Sequence, residues 1–129
     1  MPDDLLAAYR GRNRLLLLFA PSRETAACAW QEAELSGRDA ALRDRGMVVC
    51  RVFSEEAGHS HAGDEPISGD EAASLRARFG VPPAGCVVVL VGRDGAECHR
   101  WRAPAAMEDV FALADALPRH EAAGEPRNT

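Results

Sequence analysis

The chain has 129 residues, 47% of them hydrophobic and 27% charged, which is the size and composition of one packed domain rather than of a disordered chain or a fibre. Its 15 basic residues are all arginines and stand against 20 acids for a net charge of −5, so lysine Schiff-base chemistry and a lysine-bearing phosphate loop are excluded. With aromatics at only 5%, this acidic balance leaves nucleic-acid binding without an electrostatic footprint.

The longest apolar stretch, Leu15 to Pro21, falls far short of the roughly 20 residues that a membrane span needs. The start, Met1-Pro2-Asp3-Asp4, carries no basic n-region, so a cytoplasmic protein without membrane contact is expected. After the segment Asp3 to Arg12, the run Arg14 to Ala20 has strand length, is apolar on both faces and is ended by Pro21, which predicts a central strand. From Ser22 or Thr25 to Arg45 the chain turns to good helix formers, with Trp30, Ala33 and Ala41 as apolar points and Ser36-Gly37 as a place to bend. Gly46 stops this helix, and the β-branched run Met47 to Phe53 completes a right-handed β-α-β unit with parallel strands. Ser54 to Pro66 lacks apolar periodicity and is expected to be a surface loop.

Ser68-Gly-Asp-Glu71 has the spacing of a capping box, opening a helix that runs through Phe79 and stops at Gly80. Cys86 to Val91 is a second strand with no polar face. The turn Gly92-Arg-Asp-Gly95 sends Ala96 to Arg102 back antiparallel. Pro104 is placed as the first residue of a last helix, whose stripe is Met107, Val110, Phe111, Ala114 and Leu117, ended by Pro118. The order β-α-β, helix, β-hairpin, helix is that of a thioredoxin-like α/β fold. The expected sheet is mixed and four-stranded, ordered 47–53, 14–20, 86–92, 96–102, with the long helix on one face and the last helix across from it or beside it. Residues 1–121 are expected to form this single domain, with 122–129 as a disordered tail.

Several spaced motifs resemble one family in the right order: Tyr9-Arg10, Asn13-Arg14-Leu15, Phe19-Ala20-Pro21-Ser22, Gln31, Leu75-Arg76, Phe79-Gly80-Val81-Pro82-Pro83 and Val91-Gly92-Arg93-Asp94-Gly95. Together with the ending Leu113 to Arg119, they resemble an uncharacterised bacterial domain of unknown function also called P-DUDES, over about residues 5–121. Arg93 stands where lysine is usual there, and Leu117 where methionine is. The resemblance implies a thioredoxin-like fold and no established activity.

A dithiol oxidoreductase carries Cys-x-x-Cys after its first core strand. That place here reads Pro21-Ser-Arg-Glu-Thr-Ala26, without a cysteine. Pro21, Thr25 and Cys28 instead match the Pro-x-x-x-Thr-x-x-Cys pattern of peroxiredoxins. In that chemistry the proline shields the pocket, the threonine hydroxyl orients a peroxide, and a cysteine in the first helical turn has its thiolate favoured by free amides. The similarity also implies an arginine across the pocket. The matching place reads Cys86, which leaves Arg76 and Arg12 as the candidates. If the helix begins at Ser22 rather than Thr25, Cys28 lies beyond the first turn, and its bland reading is a small thiol packed in a core.

Cys50 and Cys86 are expected to be buried free thiols, and Cys98 on the hairpin is the least implausible resolving thiol, with no clean resolving partner to name. No disulfide is expected without an export signal. His59, His61, Asp64 and Glu65 in one loop, and Cys98-His99, offer metal-ligand types, but no spacing sets them on one face, and no metal or cofactor is expected. The alternating Arg10, Arg12 and Arg14 could present two guanidiniums to an anion, or form a solvated strand entrance. His99 and Trp101 share one face of the edge strand, as a contact surface or a cover for that edge. Two functions follow. One is a non-catalytic binding domain with an unknown partner. The other is a one-cysteine thiol peroxidase using Cys28, with a peroxide and a thiol reductant as its partners.

Overall fold

The computed structural model describes residues 5–55, 60–63 and 65–116. In chain order the elements are helix α1 (Leu5–Tyr9), strand β1 (Arg14–Ala20), helices α2 (Ala26–Leu35) and α3 (Asp39–Asp44), strands β2 (Met47–Phe53), β3 (His61–Ala62) and β4 (Glu65–Pro66), helix α4 (Gly69–Phe79), strands β5 (Val87–Val91) and β6 (Glu97–Arg102), and helix α5 (Met107–Ala116). Every residue of β1 is buried, as a run apolar on both faces requires. It pairs in parallel with β2, from Arg14 beside Met47 to Ala20 beside Phe53, and antiparallel with β5, Leu15 beside Val91. β6 then pairs antiparallel with β5, with a bulge at Leu90 and Val91.

The sheet order is β4-β3-β2-β1-β5-β6. The four predicted strands stand in their predicted order, but the sheet has six strands, and this corrects the expected count. The extra pair lies inside the segment expected to be a surface loop. Buried Ser60 explains why the chain stays there: its hydroxyl accepts the Phe53 N–H at 2.9 Å, and the Gly63 N–H donates to the Val49 carbonyl at 2.8 Å. These bonds satisfy backbone groups that the edge of β2 would otherwise leave open.

Alternation along β1 divides the core into two layers. Leu16, Leu18 and Ala20 meet Cys28, Leu35, Leu42 and the stripe of α5 on one face. Leu15, Leu17 and Phe19 meet Leu6, Ala72, Leu75 and Phe79 on the other. Helix α5 therefore lies beside α2 and α3, and α1 with α4 covers the opposite face. The long predicted helix is two helices, because the chain turns at Gly37 with φ of 77° before α3 restarts.

Helix α4 opens on the predicted capping box: the Glu71 N–H donates to Ser68 Oγ at 3.0 Å and the Ser68 N–H to the Glu71 carboxylate at 3.2 Å. It ends at Gly80 in the left-handed region. Helix α5 begins at Met107, not at Pro104. The physical reason is Gln31 on α2, 1% exposed, whose amide accepts the Ala105 N–H and donates to the Ala105 carbonyl at 3.0 Å. Those backbone groups are thereby removed from a helical ladder, and the Glu34 carboxylate accepts the Met107 N–H where the helix starts. Leu117, Pro118 and the expected tail lie outside the described residues. No described helix is long and apolar enough to cross a membrane.

Candidate functional site

Beyond β1, the Ala20 and Pro21 carbonyls accept the Ser54 and Glu55 N–H groups at 3.1 and 2.8 Å, so the pairing with the β2 side continues past the strand end. The next four residues form a tight turn. The Ser22 N–H donates to Thr25 Oγ1 at 3.2 Å, and the Thr25 N–H donates to the Ser22 carbonyl at 3.2 Å. Thr25 has extended backbone and stands immediately before α2, which makes Cys28 the third helical residue. The helix thus begins at the later of the two expected places. The Thr25 hydroxyl turns back toward Ser22 and does not cap the helix.

Cys28 is 0% exposed, in the layer built on Leu16 and Leu18. From β2, on the same face as Met47 and Val49, Arg51 reaches Glu32 of α2 with two guanidinium donors, Nη2 to Oε1 at 2.9 Å. The hydrogen bond to Glu32 holds the Arg51 guanidinium above its ordinary pKa, while burial opposes. Cys28 and Cys50 are both close enough to Arg51 to add a smaller favourable interaction.

Pro21, Thr25 and Cys28 follow one another from the end of β1 into the first turn of α2, with Thr25 turned toward Ser22 and Cys28 buried in the core, and Arg76 and Arg12 lie elsewhere. Arg76 belongs to α4 on the opposite face of the sheet, where its Nη1 is buried without a hydrogen-bond partner among the described residues. Arg12 precedes β1, at the far end of the strand from Pro21. The arginine that sequence reasoning missed is Arg51. Its signal was present: it is the lone charge in the run Met47 to Phe53, and a charge in a buried strand needs a partner on the element that covers it.

No disulfide joins any two of the four cysteines, all of them described. Burial pushes the Cys50 thiol up to about 12, so it stays protonated at neutral pH. Cys86, just before β5, and Cys98 are both half-buried, so the burial expected of Cys86 is incomplete. The His99 ring meets Trp101 edge-on at 4.7 Å. His61 Nδ1 lies 2.9 Å from the Gly63 carbonyl. His59 and Asp64 are outside the described residues, among which no group of three metal-ligand side chains occurs.

Beside the Arg51–Glu32 pair, where α2 breaks from α3, a cleft of about 630 Å³ opens over Leu35, Leu42, Met47 and Val49. Asp39 and Arg43 stand in its wall. A second cleft of about 540 Å³ lies by Pro82, Cys86 and Trp101.

A family described as a domain of unknown function (DUF4174) matches residues 5–122. No curated protein matches the chain in sequence. Among solved structures, the reduced 2-Cys peroxiredoxin of Plasmodium vivax is similar with a TM-score of 0.67 at 18% identity, covering 90% of this chain and 83% of that one. Thioredoxin peroxidase I of Plasmodium yoelii gives 0.65 at 20% identity over 95% and 82% of the two chains. Peroxiredoxin Q of Xanthomonas campestris gives 0.63 at 17% identity over 85% and 82%. At these identities the likeness shows the fold, which is thioredoxin-like in the form that peroxiredoxins have.

Proposed function

Because the chain belongs to the family of the domain of unknown function DUF4174, whose name carries no activity, we propose that it works as a non-catalytic binding domain on a peroxiredoxin-like scaffold. The observation that carries this reading is Cys28 itself, 0% exposed among apolar side chains. Reduction of a peroxide by a thiol needs a sulfur that the peroxide can reach and a cation free to hold the thiolate. Arg51 already gives two of its donors to Glu32. The cleft of about 630 Å³ beside that pair has the size of small-ligand sites and supplies a place to bind. Four cysteines without a disulfide suit a reducing compartment, the cytoplasm.

A second reading, a one-cysteine thiol peroxidase, is favoured by the start of α2 after Thr25, which sets Cys28 in the first helical turn. In that reaction the Cys28 thiolate attacks one peroxide oxygen, an S–O bond forms as the O–O bond breaks, and the leaving oxygen takes a proton. A thiol reductant then returns the sulfenic acid to a thiol through a disulfide, with release of water.

Hydrogen peroxide consumption with excess thiol reductant separates the two, measured on the wild type and Cys28→Ser with mass spectrometry of residue 28. The binding-domain reading expects slow consumption, equal in both proteins. Rapid turnover that vanishes in Cys28→Ser, with Cys28 recovered as the sulfenic acid, overturns it in favour of the peroxidase.

A further inference from the structure

Where β1 begins, at the end of the sheet away from Cys28, three loops meet. They are residues 10–13, residues 45–46 before β2, and the turn 92–95 between β5 and β6. Backbone bonds lock them together: the Gly11 N–H donates to the Arg93 carbonyl at 2.7 Å and the Arg14 N–H to the Gly46 carbonyl at 3.0 Å. The Asn13 side-chain amide donates to that same Gly46 carbonyl at 3.0 Å.

Two guanidiniums from these loops lie over glycines. A Cβ added at Gly95 would stand 3.0 Å from Arg10 Nε, and one added at Gly46 would stand 3.1 Å from Arg93 Nη2. Both glycines have positive φ, 84° and 65°, so the backbone that cradles the two arginines is one that other residues adopt with strain. Burial, with Cys50 and Glu65 nearby, raises the Tyr9 pKa, and Arg12, exposed on the first loop, opposes them more weakly.

None of these three guanidiniums forms an ion pair with a described carboxylate, whereas Arg38, Arg45, Arg51 and Arg100 each do. Of the acids near these loops, Asp94 Oδ1 accepts the Ala96 N–H at 3.0 Å, and Asp115 takes two donors of Arg45 at 2.9 and 3.0 Å. Arg10, Arg12 and Arg93 thus gather three positive charges at one end of a chain of net charge −5, which an anionic segment can meet. Their mutual repulsion is screened by salt and reversed by an anionic partner. Neither of the two clefts described above is lined by Arg10, Arg12 or Arg93, and the three guanidiniums come from two separate loops, a spread that suits a chain segment better than a small molecule.

We propose that Arg10, Arg12 and Arg93 form a docking surface for an acidic segment of a partner protein, whose Asp or Glu carboxylates pair with the three guanidiniums. The surface shares no residue with the turn that holds Cys28, so it stands or falls apart from the reading given above.

The test is a titration of the isotopically labelled full chain with a ten-residue glutamate peptide, followed by NMR at low and at physiological salt. Inorganic tripolyphosphate is titrated in parallel. The expected result is saturable shifts at the arginine Nε–H groups of residues 10, 12 and 93 and at the Gly46 and Gly95 amides. Affinity should fall roughly two- to fivefold for each of Arg10→Gln, Arg12→Gln and Arg93→Gln, and further as salt rises. Unchanged β1 amide shifts report that each variant remains folded. Peptide shifts centred elsewhere, shifts that survive the triple replacement, or no shifts at all would overturn the proposal. Tripolyphosphate binding here without peptide binding would overturn it too, and would make the surface a small-anion site.

Discussion

At the C-terminal end of β1 the guanidinium that faces α2, Arg51, has a side chain only 22% exposed and gives two donors to Glu32, while at the N-terminal end Arg10, Arg12 and Arg93 stand in loops without a described carboxylate partner. Both ends use rigid backbone to place cations. The first spends its cation inside the molecule, joining the crossover helix to the strand beneath it, and the second rests its cations on loop backbone without a described carboxylate. A partnered, half-covered arginine holds the fold together, whereas an unpartnered one adds little to stability and remains free to meet something else.

Four measurements can break or sharpen that contrast. The largest effect is expected at Gln31→Leu, on the partnered side, because it leaves the buried Ala105 N–H and carbonyl without their shared partner. Urea denaturation should show a loss of about 2–4 kcal/mol. Glu32→Gln should cost about 1–2 kcal/mol, since it strands a partly covered guanidinium, and Arg51→Met with Glu32→Gln together should cost less than the sum of the two. At the sheet edge, the hydrogen bond from Arg100 holds the Glu97 carboxyl below its usual range. Its folded pKa lies below the unfolded value of about 4.3, so its contribution is full above that value and is lost as pH falls through the folded one. Wild type should therefore lose up to about 1 kcal/mol more than Glu97→Gln between roughly pH 5 and pH 3. The smallest effect is expected at the open end: Arg10→Gln, Arg12→Gln and Arg93→Gln should each change stability by less than about 0.5 kcal/mol. A loss above about 2 kcal/mol there would show that these arginines hold the loops together.

The parts of the fold legible in the sequence were those with a strong local signal. The apolar runs of β1, β2 and β5 announce burial on both sides, and Ser68 with Glu71 announces the start of α4. Strands of two residues carry no period, so β3 and β4 could not be seen. They exist because Ser60 finds the Phe53 N–H across the loop. The start of α5 misled for a similar reason, since the groups that hold Ala105 out of the helix belong to Gln31, 74 residues earlier in the chain. Pro21, Thr25 and Cys28 lie within eight residues of chain, so their spacing could be read together. Arg51 and Glu32 meet across 19 residues, and Arg93 reaches Gly46 from another hairpin, so neither contact leaves a spacing to recognise.

The most direct test of the central claim, that Cys28 is a thiol of the core, is the rate at which each cysteine of the folded protein reacts with iodoacetamide at neutral pH, followed by mass spectrometry. The account predicts that half-buried Cys98 and Cys86 react first, while Cys28 and Cys50 react only as fast as the protein opens and catch up in urea. Cys28 reacting first in the folded state, and faster than an ordinary free thiol, would contradict it.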